Sequence, residues 1–189
     1  MRICAVVLAG GAGRRMGGAD KPLLAFRGEA LIARILRTIG PQVTADAISA
    51  NGDPARYAGF GLPVLADRAF AGAGPLAGVL AGLAWADGAG AEALLSVPGD
   101  VPFLPGDLVA RLLPGPSWAE GGGRVHPLIA LWPVAAEERL RAHLAAGGSR
   151  AVRAFGEALG MRAVAFAGES FANLNTPGEW AAAEAGGRV

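Results

Sequence analysis

Strand-length apolar runs alternate with helix-like segments along the first part of the chain. The run Ile3–Ala9 is continuous and β-prone, and it stops at a pair of glycines. A strand that is buried on both faces shows this pattern. The next segment places Leu31, Ile35 and Ile39 at helical spacing and ends before a Gly-Pro pair, which predicts a helix over 30–39.

The same alternation continues to the end of the chain. Short apolar runs predict further strands at 46–51, 62–67, 92–100, 126–132 and 162–168. Helical patterns predict helices from Pro75, over 134–146, and between Ser149 as a cap and Gly160 as an end. A capping box with proline at the first helical position, Thr176–Glu179, predicts a last helix.

This order of elements predicts an α/β fold, an open, mainly parallel, Rossmann-like sheet with helices on both faces. The length of 189 residues and the lack of a linker-like segment favour a single domain over 1–189. In such a sheet, ligands lie outside the carboxyl ends of the strands. We therefore expect one site from the residues that follow predicted strands directly, which are Gly10, Gly11, Asn51, Asp67 and Asp100.

Composition narrows the class of ligand and the cellular setting. The chain is 52% hydrophobic and 17% charged with net charge +1, so it lacks the basic field that holds nucleic acid. The apolar start is too short and irregular for a secretory signal, and the uncharged window 69–86 contains a proline and four glycines, so no membrane segment is predicted. The single cysteine, Cys4, is interpreted as a buried strand residue and fits a reducing, cytoplasmic setting.

The segment after the first strand, VLAGGAGRRMGGADKPLL, is a long glycine-rich loop. It has the glycine spacing of a Walker loop without the Lys-Ser/Thr pair, and methionine stands where a dinucleotide fingerprint needs its third glycine. It also holds Lys21, whereas the other 16 basic residues of the chain are arginine. Glycines let the backbone close on a ligand, and Arg14, Arg15 and Lys21 suit a triphosphate. A solvated surface loop is the structural alternative.

These residues resemble the signature of the molybdenum cofactor guanylyltransferases, the MobA family. The similarity covers nearly the whole chain in the family's order and spacing: LAGGAGRRMGGADKPLLAFRGEAL, SANGD, Asp67, GPLAGVLAGL, SVPGDVPFLP, HPLIALW and NLNTP. Two positions depart from the usual pattern. Ser49 stands where some members have asparagine, and Gly13 replaces a small hydroxyl residue.

The resemblance implies a nucleotide-diphospho-sugar transferase-like fold and transfer of GMP from GTP to the terminal phosphate of molybdopterin-bound molybdenum (Mo-molybdopterin), with release of pyrophosphate. Mg²⁺ is the implied cofactor. GTP and Mo-molybdopterin are the implied partners, with room for transient contact with other cofactor-biosynthesis proteins or acceptor enzymes. The alternatives are a molybdopterin cytidylyltransferase, a sugar-phosphate nucleotidyltransferase and a non-catalytic GTP-binding regulator. The doubled Gly17-Gly18 and the Asp20-Lys21 pair favour the guanylyl branch.

By position, the resemblance also implies roles for individual residues. The nucleotide-binding residues would be Leu8, Ala9, Gly10, Gly11, Lys21, Asn51, Asp67 and Asp100. Asp100 would also ligate Mg²⁺. The chemistry of the reaction, rather than the resemblance, makes Lys21 and Arg15 the groups that would neutralise the charge on the phosphates as pyrophosphate leaves. Other residues are candidates apart from the resemblance. Asn173 and Asn175, which bracket Leu174 and would share one face of an extended segment, could contact the second substrate or the metal, and Arg14, Arg150 and Arg153 are candidates for the second substrate by their charge alone.

Structural alternatives stay open for several of these residues. Asp100 could open a turn, Asn51 lies in a turn-forming Asn-Gly-Asp-Pro, and Asp67 could pair with Arg56 or Arg68. We interpret Thr176 as a helix cap. We interpret His126, which precedes a proline at the start of a strand, as structural.

Overall fold

A computed structural model describes residues 1–10, 20–67, 70, 72–166, 171–174 and 177–184. Its strands are β1 (Ile3–Leu8), β2 (Ala25–Phe26), β3 (Glu29–Ala30), β4 (Ala45–Ser49), β5 (Val64–Leu65), β6 (Ala93–Pro98), β7 (Ser117–Gly121), β8 (Arg124–Pro133) and β9 (Arg162–Ala165). Its α-helices are α1 (Leu31–Ile39), α2 (Pro75–Gly88), α3 (Leu108–Leu112), α4 (Glu137–Ala145), α5 (Val152–Leu159) and α6 (Pro177–Glu184). Short 3-10 helices cover Lys21–Leu23, Gly40–Gln42, Pro54–Phe60 and Val134–Ala136.

Seven of the strands form one mainly parallel sheet, in the order β5-β4-β1-β6-β8-β7-β9. The pairs β4/β5, β1/β4, β1/β6 and β7/β9 are parallel, whereas β8 runs antiparallel to both of its neighbours. The predicted fold class is confirmed, because parallel strands alternate with helices along the chain. The antiparallel β8 brings its amino-terminal half to the edge where β1, β4 and β6 end.

The core lies on both faces of the sheet, and the side chains of β1 alternate between them. Ala5 and Val7 join the cluster that packs under α1 and α3. Cys4 and Val6 join the cluster under α2, α4 and α5. The interpretation of Cys4 as a buried strand residue is confirmed, and burial raises the pKa of its thiol.

Three features differ from the sequence prediction. Strand β7 and helix α3 were not predicted, because both are short and their apolar residues show no clear period. The loop after β1 is not wholly irregular, since it contains a 3-10 turn and the β2/β3 hairpin. The N-cap of α5 is Ala151 rather than Ser149. The Ser149 hydroxyl accepts a hydrogen bond from the backbone N–H of Ala151 at 3.2 Å. None of the helices in the described ranges is long and apolar enough to cross a bilayer.

We expect Gly156→Ala to destabilise the protein by about 3 kcal/mol, because α5 packs on β7 through this glycine. A Cβ at Gly156 would lie 2.1 Å from Cζ3 of the buried Trp118. The gain of about 1 kcal/mol in helix propensity cannot offset this overlap. Gly88→Ala, at the exposed end of α2 with no atom within 4 Å of its Cβ, is the control. Urea unfolding followed by circular dichroism measures both, and equal stability of the two variants would contradict this packing.

Candidate active site

At one edge of the sheet, backbone hydrogen bonds continue beyond the strands and join the residues that follow them. Ala9 N donates to Ser49 O at 2.8 Å, and Gly99 N donates to Leu8 O at 3.0 Å. Ala50 N donates to Leu65 O, in β5, at 3.0 Å. The residues that follow β1, β4, β5 and β6 are therefore neighbours, as expected for the carboxyl edge of a parallel sheet.

A cavity of about 350 Å³ opens at the ends of β1, β4 and β5. It is lined by the predicted residues Leu8, Ala9, Gly10, Asn51 and Asp67. Residues for which no role was predicted also line it, namely Asp20, Ser49, Gly72, Gly74, Pro75 and Gly78. The expectation that the residues after these strands lie together is confirmed. We call this space the first cavity.

Asp67 has an unused oxygen at this cavity. Its backbone N–H donates to Asn51 Oδ1 over a long 3.4 Å, which joins the loops after β4 and β5. Asp67 Oδ1 is buried and has no hydrogen-bond partner among the described residues. A buried acceptor without a partner is costly, so this oxygen suits a donor group on a ligand. Asp67 does not form the ion pair considered with Arg56, because Arg56 contacts Asp20 instead; Arg68 lies outside the described residues.

Helix α2 reaches the cavity wall because Gly78 has no side chain. A Cβ at Gly78 would lie 2.8 Å from Ser49 Oγ and 2.9 Å from Leu8 Cδ2. Both atoms belong to residues of the cavity wall. The glycine thus permits the close approach of α2 to the ends of β1 and β4, which a larger residue would prevent.

Lys21 and Asp100 form an ion pair beside this cavity, with Nζ donating to Oδ2 at 2.9 Å. Both side chains keep some exposure, 15% for the lysine and 26% for the aspartate. The pair is set by the backbone next to it, because Pro22 packs against Gly99, where a Cβ would lie 2.9 Å from Pro22 Cγ. The two predicted catalytic residues that the structure describes are therefore in direct contact.

The start of this segment is fixed by a second charged contact. Asp20 pairs with Arg56 and accepts a hydrogen bond from the Tyr57 hydroxyl at 3.3 Å. Tyr57 is almost fully buried, and burial together with the Asp20 charge raises its pKa to about 12. The phenol therefore stays protonated and can keep donating to Asp20. Sequence reasoning missed this contact, because it joins distant positions of the chain without any local pattern.

A second cavity, of about 340 Å³, lies on the other side of Asp100. Pro98 and Val101, which lie on either side of Asp100 in the chain, form one wall. The first half of β8 and the start of α5 form the others. Asn173 lines it as well, and its neighbour Leu174 donates its backbone N–H to Asp100 O at 3.3 Å. Since β6 separates β1 from β8 in the sheet, the Lys21–Asp100 pair lies between the two cavities.

The pair suits a magnesium–nucleotide complex better than a protein-only metal cage. Within the described ranges no three His, Cys, Asp or Glu side chains are grouped closely enough to hold a metal ion. Mg²⁺ is commonly bound by one or two carboxylates, with substrate phosphates and water completing the shell. The Asp100 carboxylate, partly exposed at the sheet edge, fits that role. Four predicted residues, Gly11, Arg14, Arg15 and Asn175, lie outside the described residues.

Comparison with known proteins shows to which protein family the chain is similar. The sequence model of the MobA-like NTP transferase domain matches residues 5–161. The molybdenum cofactor guanylyltransferase of Acidiphilium cryptum is 54% identical over 184 residues, a match that covers 96% of this chain and 94% of that protein. The family match over 5–161 includes Lys21, Asp100 and all the residues that line the first cavity.

Solved structures support the fold at lower sequence identity. Molybdopterin-guanine dinucleotide biosynthesis protein A from Archaeoglobus fulgidus matches with a TM-score of 0.71 at 21% identity, covering 97% of each chain. The 2-C-methyl-D-erythritol 4-phosphate cytidylyltransferase of Thermus thermophilus matches with a TM-score of 0.66 at 20% identity, covering all of both chains. The predicted nucleotide-diphospho-sugar transferase-like fold is confirmed.

Proposed function

The chain belongs to the family of MobA-like NTP transferases, and we infer from this membership and from its site that it transfers GMP from GTP to Mo-molybdopterin. The product is the guanine dinucleotide form of the cofactor, together with pyrophosphate. One observation carries the inference: a lysine–aspartate pair lies between two cavities at the carboxyl edge of the sheet. A transferase must hold a donor and an acceptor on either side of the reacting phosphorus, and this arrangement supplies two such spaces.

The proposed donor side is the first cavity. The turn at Leu8, Ala9 and Gly10 receives the guanosine, and Asn51 and Asp67 contact it, with Asp67 Oδ1, which has no partner among the described residues, accepting from the nucleotide. The triphosphate then extends towards Lys21. Gly11 and Arg15 belong to the same proposed site by their positions in the family signature.

The proposed reaction is an in-line substitution at the α-phosphorus of GTP. An oxygen of the acceptor's terminal phosphate forms the new P–O bond, and the bond between the α- and β-phosphates breaks to release pyrophosphate. A phosphate monoester is largely dianionic at about pH 7, so no general base is required. The chain's task is to position the two substrates and neutralise charge. The Lys21 ammonium, assisted by Arg15, stabilises the charge on the departing pyrophosphate.

The proposed cofactor is Mg²⁺, which Asp100 would hold together with the nucleotide phosphates. When bound, Mg²⁺ polarises phosphoryl oxygens and offsets their negative charge. Asp100 itself is kept in place by Lys21 and by the backbone of Leu174. We also propose a cytoplasmic location with GTP and Mo-molybdopterin as small-molecule partners. Transient contact with other cofactor-biosynthesis proteins or acceptor enzymes is part of the same proposal.

With Mo-molybdopterin as acceptor, we expect pyrophosphate release with GTP to exceed release with CTP, ATP and UTP by at least about tenfold in kcat/KM, because the first cavity discriminates the base. A coupled pyrophosphate assay with each nucleotide measures this. Preference for CTP would identify a cytidylyltransferase and contradict the proposal. GTP binding without turnover would identify a non-catalytic GTP-binding protein.

A further inference from the structure

His126 in the second cavity has one ring nitrogen in a fixed role and one available. Its Nε2 lies 3.2 Å from the backbone oxygen of Gly121. A carbonyl oxygen can only accept a hydrogen bond, so the neutral ring carries its proton on Nε2. Nδ1 then keeps a free lone pair, and no hydrogen bond to it exists among the described residues. The ring packs on Phe171, with 5.0 Å between centroids, so its orientation is set by the fold.

The neutral state of this ring is favoured by its surroundings. Burial lowers the pKa of His126, and the charge of Arg124 lowers it further, while the bond to Gly121 acts in the opposite direction. The His126 ring is therefore mostly unprotonated at neutral pH, which agrees with the tautomer that the hydrogen bond selects. The His126 ring therefore offers an acceptor atom, whereas a positive charge on the cavity lining comes from Arg153.

The second cavity has the chemistry of a site for a flat, polar-edged ring. Its walls are largely apolar, formed by side chains such as Pro98, Val101 and Leu128. His126, Asn173 and Arg153 supply the polar groups at its lining, and Arg153 is paired with Glu157. Apolar walls with a few placed polar groups are typical of small-molecule sites. A charged phosphate alone would not need them, whereas a heterocycle with N–H groups would.

We propose that His126 recognises the pterin of the acceptor substrate, with Nδ1 accepting a hydrogen bond from a ring or amino N–H group. Asn173, on the lining of the same cavity, would complete the polar edge, since its amide can both donate and accept. This inference rests on the proposed function. It gives His126 a specificity-determining role in addition to the structural one expected from its position before a proline.

Pterin and guanine share the same amino-pyrimidinone edge, so the edge alone does not choose between them. The position of the second cavity favours the pterin. It lies beyond Asp100 and away from the Leu8–Gly10 turn and Asp67 Oδ1, which form the proposed guanosine side. Binding of the pterin there also brings the attached phosphate back towards the Lys21–Asp100 pair, where transfer takes place.

The test compares His126→Phe, which keeps a ring against Phe171 but removes both nitrogens, with His126→Asn, whose amide can offer an oxygen in place of Nδ1. We expect His126→Phe to raise KM for Mo-molybdopterin about tenfold, the loss of one hydrogen bond to a buried group, with kcat and the Kd for GTP nearly unchanged. His126→Asn should recover part of the loss, which a purely structural role would not predict.

A matched control and a direct binding probe complete the experiment. His143 also bonds a backbone carbonyl through Nε2, at 2.8 Å from Ser149 O, and also packs on a phenylalanine, but it lies outside both cavities. His143→Phe should therefore leave the KM for Mo-molybdopterin and the kcat unchanged. Fluorescence titration with pterin-6-carboxylate, in the absence and presence of saturating GTP, should show binding that His126→Phe weakens and GTP does not displace.

Two results would overturn the inference. One is an unchanged KM and pterin affinity in both His126 variants, and the other is displacement of the pterin probe by GTP, which would put both rings in one cavity. If the wild-type protein binds the probe through His126 but transfers no GMP, the proposed function fails while the pterin site stands. If His126→Phe fails to fold, the titration with His126→Asn decides.

Discussion

Asp100→Asn should reduce GMP transfer about a thousandfold, because it removes the negative charge that would hold Mg²⁺ against the phosphates. Asparagine has the same shape, and the side chain is partly exposed, so the fold should be retained. The second expected effect is on the metal requirement: the Mg²⁺ concentration for half-maximal activity should rise at least about tenfold. Initial rates over a Mg²⁺ titration measure both quantities, and circular dichroism checks the fold.

The matched control for this prediction is Asp107→Asn. Asp107 is an exposed aspartate just before α3, and its side chain makes no capping hydrogen bond. It should retain wild-type rates and the wild-type Mg²⁺ requirement. Full activity of Asp100→Asn would mean that Asp100 only shapes the turn after β6. Loss of folding in this variant, with a collapsed circular dichroism signal, would equally move its role from chemistry to structure.

Lys21→Met should lower kcat by at least about a hundredfold, because the Lys21 ammonium no longer stabilises the developing charge on pyrophosphate. Methionine keeps much of the side-chain length, so the effect reports mainly on the charge. Lys21→Arg should recover only part of the activity, because the planar guanidinium cannot occupy the compact space of the ammonium beside Asp100. Single-turnover rates with saturating GTP separate the chemical step from binding.

Arg141→Met is the control for the loss of a cation, since Arg141 pairs with Glu137 on the exposed face of α4. It should be as active as the wild type. The double variant of Lys21 and Asp100 gives a further check. Because the two side chains are in contact and serve the same step, the combined loss should be smaller than the product of the single losses. Strictly multiplicative losses would indicate independent roles.

The sequence contains enough to predict the class of sheet and one edge of the site. The run Ile3–Ala9 is apolar without interruption, as expected for a strand that is covered on both faces. The residues directly after β1, β4 and β5 are then neighbours by the geometry of a parallel sheet, and the structure brings Gly10, Asn51 and Asp67 to one cavity. The resemblance to the MobA family is confirmed by the family match over 5–161.

Contacts between distant segments could not be predicted in the same way. The Asp20–Arg56 pair and the Tyr57 hydroxyl bond depend on how the loop after β4 folds over the loop after β1. Strand β7 is held by pairing with β8 and β9 rather than by a marked pattern of its own. The roles of Gly78 and Gly156 depend on the atoms opposite them, which no local pattern names.

By itself, the sequence determined the class of fold, the family and the strand ends at which the proposed nucleotide site lies, because burial period and turn chemistry are local properties of the chain. Only the tertiary structure decided that β8 runs antiparallel beside β6, which brings His126 to the carboxyl edge of β6, where it lines the second cavity with Pro98 and Val101. Strand order and direction result from packing across the whole sheet. Residues far apart in sequence, such as Lys21 and Asp100, therefore become one site only when the sheet is complete.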